Sequence, residues 1–158
     1  MDEDLPRFYT DVEWYDRNDR SFTTFAQTRM CKACKDKIGT EAQERVPTFD
    51  GKSGQVVYEL RTVKFGQNPM HLIRNCCSKE RDYITVETPT AEVIFRAFLA
   101  SNNQPSDVET IRDMLSTYIP LSERPHGYDA AVIERILRND AYYGFSEFGR
   151  LEELPESG

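Results

Sequence analysis

The chain has 158 residues, of which 39% are hydrophobic and 30% charged, with a formal net charge of −7. That is the size of one domain and the composition of a folding chain, which sets aside a disordered polymer and a fibrous repeat. No run comes near the roughly 18 uncharged apolar residues of a membrane span, and the acidic opening at residues 1–6 lacks the basic and apolar regions of a secretory signal, so a cytoplasmic location is expected.

Charge is unevenly placed. Residues 1–28 carry −4, residues 29–81 carry +5 and residues 82–158 carry −8. The middle of the chain can attract phosphates, and the acidic remainder opposes them.

Residues 7–30 hold the aromatics Phe8, Tyr9, Trp14, Tyr15, Phe22 and Phe25, which suit core and sheet faces. Segments 7–15 and 21–30, separated by a polar turn, read as a β-hairpin running into Cys31. Residues 36–54 lose periodicity and read as a long loop, residues 55–65 fit helix and strand equally, and residues 70–75 read as a short strand that delivers Cys76 and Cys77. Residues 83–86 read as another extended piece.

After Pro89 the pattern becomes helical. Val93, Ile94, Phe95, Phe98 and Leu99 form a wide apolar face that ends at Asn102-Asn103. Ser106-Asp107-Val108-Glu109 has the form of a capping box opening a second helix near residue 107, with Val108, Ile111, Met114, Leu115 and Tyr118 at helical spacing. Asp129 is placed to cap a third, carrying Ile133, Ile136 and Leu137. Residues 142–151 read as two short strands, and residues 152–158 as a frayed tail. Three helices followed by a small β-element resemble the layout of a winged helix, a likeness of architecture over residues 89–151 and not of any sequence signature. The fold class expected is α+β: a zinc-stabilised, β-rich N-terminal module at residues 1–87, a winged-helix-like domain at 88–151, and the tail.

The four cysteines fall in two places, Cys31-Lys32-Ala33-Cys34 and Cys76-Cys77. Zinc takes four tetrahedral Cys or His ligands, and a CxxC turn sets two thiolates on one side of the ion, so the two stretches read as halves of one structural zinc site. The expected ligands are Cys31, Cys34, Cys76 and Cys77. Side chains of adjacent strand residues point to opposite faces, which leaves His71 as an alternative fourth ligand. An iron–sulfur cluster fits the same ligand types. Thiol redox chemistry at Cys31 and Cys34 is the other reading, favoured by the neighbouring Arg29, Lys32, Lys35 and Lys37, but it leaves the second pair unused.

Glycine-rich phosphate loops, HExxH and GxSxG are missing, and His126 is a lone loop histidine, so an enzyme is not expected. The role expected is a regulatory or adaptor protein in transcription or a related nucleic-acid process, with zinc serving the fold. Contacts with DNA or another nucleic acid would use Lys32, Lys35, Lys37, Arg45, Lys52, Lys64 and Arg74, or Arg135 and Arg138 on the third helix. The alternative is a protein–protein interaction module, with homodimerisation through the helical domain as one form of it. It is motivated by the acidic C-terminal part and by Tyr142, Tyr143, Phe145 and Phe148, expected to be exposed.

Overall fold

The computed structural model describes residues 5–123 and 129–149. The loop carrying His126, the second of the strands expected at 142–151, and the tail lie outside the described residues at least in part. Strand β1 (Arg7–Thr10) is followed at once by α1 (Val12–Arg17) and α2 (Phe22–Gln27), so the expected N-terminal hairpin is replaced by one strand and two helices. Caps decide this against aromatic strand preference. The Asp11 carboxylate accepts from the Glu13 N–H at 3.1 Å, and Ser21 Oγ accepts from the Thr24 N–H at 3.1 Å, each satisfying a donor that a helix start leaves free.

Next come α3 (Lys32–Lys35) and a two-stranded ribbon, β2 (Glu41–Asp50) paired with β3 (Gln55–Lys64). The ribbon occupies most of the expected long loop, and its register is continuous from Glu41 opposite Lys64 to Asp50 opposite Gln55. The Asp50 carboxylate organises the turn by accepting from Lys52 N–H and Ser53 Oγ, each at 3.0 Å. Residues 70–75 are helical, within α4 (Pro69–Asn75), because Asn68 caps the His71 N–H and Pro69 occupies the first turn, where its missing N–H costs nothing. Residues 83–86 form no strand; Tyr83 and Ile84 are buried from a bend.

The three expected helices are present as α5 (Thr90–Ala100), α6 (Val108–Tyr118) and α7 (Ala130–Asn139). Asp129 caps α7 as expected, by accepting from the Ala131 N–H. The cap of α6 is Asp107, whose carboxylate accepts from the Thr110 N–H at 2.8 Å; Ser106 instead belongs to a short strand, β4 (Ser106–Asp107), and donates to Gln104 O.

The small sheet is assembled from segments distant in the chain. β4 and β5 (Phe145–Glu147) do not pair with each other; β1 lies between them, antiparallel to both, in the order β4-β1-β5. Asn103 secures the end of β1, donating to Thr10 O at 2.8 Å and accepting from Thr10 N–H at 2.9 Å. The architecture among the described residues is therefore mixed α+β, with seven helices and two small antiparallel sheets. No described helix is long and apolar enough to cross a membrane.

One buried cluster runs from Phe8, Ala26 and Met30 through Ile73 and the apolar face of α5 to Ile111, Leu115, Ile133, Leu137 and Phe145, crossing the boundary expected near residues 86–89. A second tie is aromatic. Tyr15 is fully buried and donates its hydroxyl to Tyr143 O at 2.6 Å, while the Arg20 guanidinium lies about 5 Å from the rings of Trp14, Tyr15, Phe25 and Tyr142. The aromatics expected to be exposed divide: Tyr142 and Phe148 are exposed, Tyr143 is half-buried and Phe145 is buried.

Gly144 closes this junction with φ +76°, and a Cβ there would stand 3.0 Å from both the Trp14 and the Tyr15 rings. Gly144→Ala is expected to cost about 2 kcal/mol, combining left-handed backbone strain with the ring clash, and to lower the melting temperature by roughly 6 °C in a thermal unfolding scan.

Candidate metal centre

Arg29 and Met30 place the first half of the site. Met30 is buried in the core, and the Arg29 guanidinium is held between the Phe25 ring, 4.0 Å from its centroid, and the Glu92 carboxylate. Cys31 is then the N-terminal flanking residue of α3, with φ −69° and ψ 164°, and Cys34 follows one turn later. The short helix turns both sulfurs to one side.

The second half depends on a broken helix. α4 ends at Cys76, whose φ of −136° and ψ of −65° leave the helical path, and Cys77 opens a 3₁₀ turn over Cys77–Lys79. In a strand, neighbouring side chains diverge; at this kink they converge. The four sulfurs all lie within 4.8 Å of one another, and Cys34 Sγ and Cys76 Sγ are 3.8 Å apart.

That spacing fits a metal ion. A tetrahedral ion about 2.3 Å from each of four sulfurs holds them about 3.8 Å apart, whereas a disulfide needs about 2.05 Å. The four cysteines are unbonded to one another. Cys34 and Cys77 are buried, Cys31 is half-buried and Cys76 is exposed, so the cluster sits at the rim of the core.

The thiols differ in electrostatics. The backbone N–H of Cys34 holds Cys31 below its ordinary value, burial pushes Cys34 well up, and burial pushes Cys77 up to about 11. Four thiolates this close repel one another, and a central divalent cation removes that repulsion and deprotonates its ligands outright.

His71 is outside this group. It lies on an exposed turn of α4, with Nδ1 3.3 Å from Asn75 Nδ2, and does not join the four sulfurs. The helical form of residues 70–75 is the reason, since the parity shared by His71 and Cys77 holds only in a strand.

Sequence reasoning passed over the polar anchor beside the cluster. Glu92 on α5 accepts from Arg29 Nη2 at 2.8 Å, Arg29 Nε at 2.8 Å, Arg96 Nε at 2.7 Å and the Tyr143 hydroxyl at 2.8 Å. Burial alone would raise this carboxyl, but hydrogen bonds from Arg29, Arg96 and Tyr143 outweigh it and hold the group down at about 2. Arg96 also donates to Tyr83 O at 2.6 Å, and the Tyr83 hydroxyl donates back to Arg96 O at 2.6 Å. The available signal was Glu92 and Arg96, an i,i+4 pair interrupting an otherwise apolar helix.

The cations suggested for nucleic-acid contact are scattered. Lys32, Lys35, Lys37 and Arg74 are exposed beside the four cysteines in sequence, with Lys32 paired to Asp36 at 3.1 Å. Arg45, Lys52 and Lys64 are exposed on the ribbon. On α7, Arg135 is exposed, whereas Arg138 is bound to Glu134 at 2.8 Å and Glu147 at 2.9 Å. Comparison with protein-family models, curated proteins and solved structures finds no match to the chain.

Proposed function

We propose that Cys31, Cys34, Cys76 and Cys77 hold one zinc ion as a structural clasp, and that the protein is a zinc-stabilised regulatory or adaptor protein acting in transcription or a related nucleic-acid process. The observation that carries the zinc assignment is the convergence of four sulfurs within 4.8 Å, with one pair at the separation a tetrahedral zinc requires. Four thiolates complete the coordination shell and leave no open position for a substrate, so zinc serves the fold and not a reaction. The redox alternative uses only Cys31 and Cys34. Metal analysis with thiol counting separates the two: the clasp requires one zinc per chain and thiols that react only after chelation, while thiols reactive from the start and a metal-free protein exclude it.

The adaptor role draws on the exposed Lys32, Lys35, Lys37 and Arg74 next to the clasp and on the helical unit beyond it. That unit is proposed as a winged-helix-like element whose sheet is completed by β1. The order α5, β4, α6, α7, β5 supports this, with β1 occupying the central strand position. Arg138 is committed to Glu134 and Glu147, so contact falls on the clasp side. A duplex titrated at several ionic strengths should bind at low salt, with affinity falling linearly on a log–log plot at a slope near one per phosphate neutralised. Lack of binding at low ionic strength removes the nucleic-acid half of the proposal.

A further inference from the structure

The β2–β3 ribbon is poorly covered by the rest of the protein. Every residue of β3 except Val63 is exposed, and the ribbon displays Phe49, Val56, Val57, Tyr58 and Leu60, from 40% to 71% exposed. A lone two-stranded ribbon is marginal in water, and an exposed apolar edge strand is a template for another strand.

Its two edges are unequal. Pro47 sits in β2 within an unbroken register, opposite Tyr58. Proline has no N–H to give to the ladder, so its nitrogen faces the outer edge of β2, where it denies an incoming strand a donor. β3 carries no proline. Alternation along the ladder then places the outward N–H and C=O groups of β3 on Val56, Tyr58, Leu60, Thr62 and Lys64.

We propose that β3 is a homodimerisation edge, with two copies joining their β3 strands antiparallel about a twofold axis at Leu60 to form a four-stranded sheet. In this register Leu60 faces Leu60, Tyr58 faces Thr62, Val57 faces Val63, and Glu59 of each copy faces Arg61 of the other. Residues carrying outward hydrogen-bonding groups meet one another, as a ladder requires. Shifting the axis by one residue either way sets Glu59 against Glu59 or Arg61 against Arg61, so charge selects the Leu60 register. Phe49, Val56, Tyr58 and Leu60 share one ribbon face by their pairing, and the twofold continues that face from one copy into the other.

Sedimentation of the full, metal-loaded chain across a range of concentrations should show a species of twice 18.3 kDa. Leu60→Lys, which sets two like charges at the axis, and Glu59→Arg alone should each weaken dimerisation about tenfold or more. Glu59→Arg combined with Arg61→Glu should restore it. All three side chains are exposed, so circular dichroism and thiol protection should match wild type in every variant. A wild-type chain that stays monomeric at all concentrations overturns the proposal, whether the edge then serves another protein or none. So does a dimer that survives Leu60→Lys, or a charge variant that the double swap fails to rescue.

Discussion

Removal of the metal at neutral pH is expected to expose all four thiols and collapse the packing of α3, α4 and the 3₁₀ turn against α5. Structural zinc in small domains contributes on the order of 10 kcal/mol, comparable to the whole stability of a typical domain. The two halves of the site are separated in the chain by an exposed ribbon that offers little packing of its own, so a shared ion would add a direct tie between residues 31–34 and 76–77 to the core contacts of Cys34 and Cys77. Cys76→Ser isolates this effect. Cys76 is exposed, and its replacement removes a ligand without opening a cavity, whereas Cys34 and Cys77 are buried and would mix the two costs. The variant should bind zinc far more weakly and melt many degrees lower, read by metal content after dialysis and by thermal denaturation. Wild-type behaviour of Cys76→Ser would end the four-thiolate assignment. The ligands must be deprotonated, so affinity for the ion should also fall on acidification.

Glu92→Gln is expected to destabilise the protein by about 3 kcal/mol at neutral pH, the lower end of the cost of breaking a buried ion pair. The amide cannot balance Arg29 and Arg96, whose guanidiniums would remain partly buried beside a neutral group. The pH dependence has a definite sign. The folded carboxyl lies at about 2, below its ordinary 4.5, so its contribution is full above about 4.5 and is lost as pH falls toward 2. Denaturant titrations at neutral pH and at successive acid values should therefore show the gap between wild type and Glu92→Gln narrowing through that window. Loss of metal in acid affects both proteins and cancels in the difference. A gap that stays constant from pH 7 to pH 2 would show that the ionised carboxylate is not the source of the stability.

Local signals in the sequence locate elements where the local physics is self-sufficient. The apolar face of α5, the spacing of Ile111 and Leu115, and the Asp129 cap each depend on residues within a turn or two of each other, so periodicity and capping locate α5, α6 and α7. The N-terminal aromatics misled because two caps, Asp11 and Ser21, override strand preference when a core is available to receive Tyr15 and Phe25. Residues 70–75 misled similarly: a short apolar run fits strand or helix, and Asn68 with Pro69 tips it to helix.

Sequence alone determined that the cysteines form two clusters, that CxxC sets one half of a candidate metal site, and that the C-terminal part is helical. Only the tertiary structure decided that β1 enters the sheet between β4 and β5, that the kink at Cys76 turns neighbouring thiols to one point, and that Glu92 collects Arg29, Arg96 and Tyr143 beside them. The physical reason is range. Spacing reports neighbours along the chain, while Tyr15 meets Tyr143 across 128 residues and Cys34 meets Cys76 across 42, contacts set by how the whole core closes.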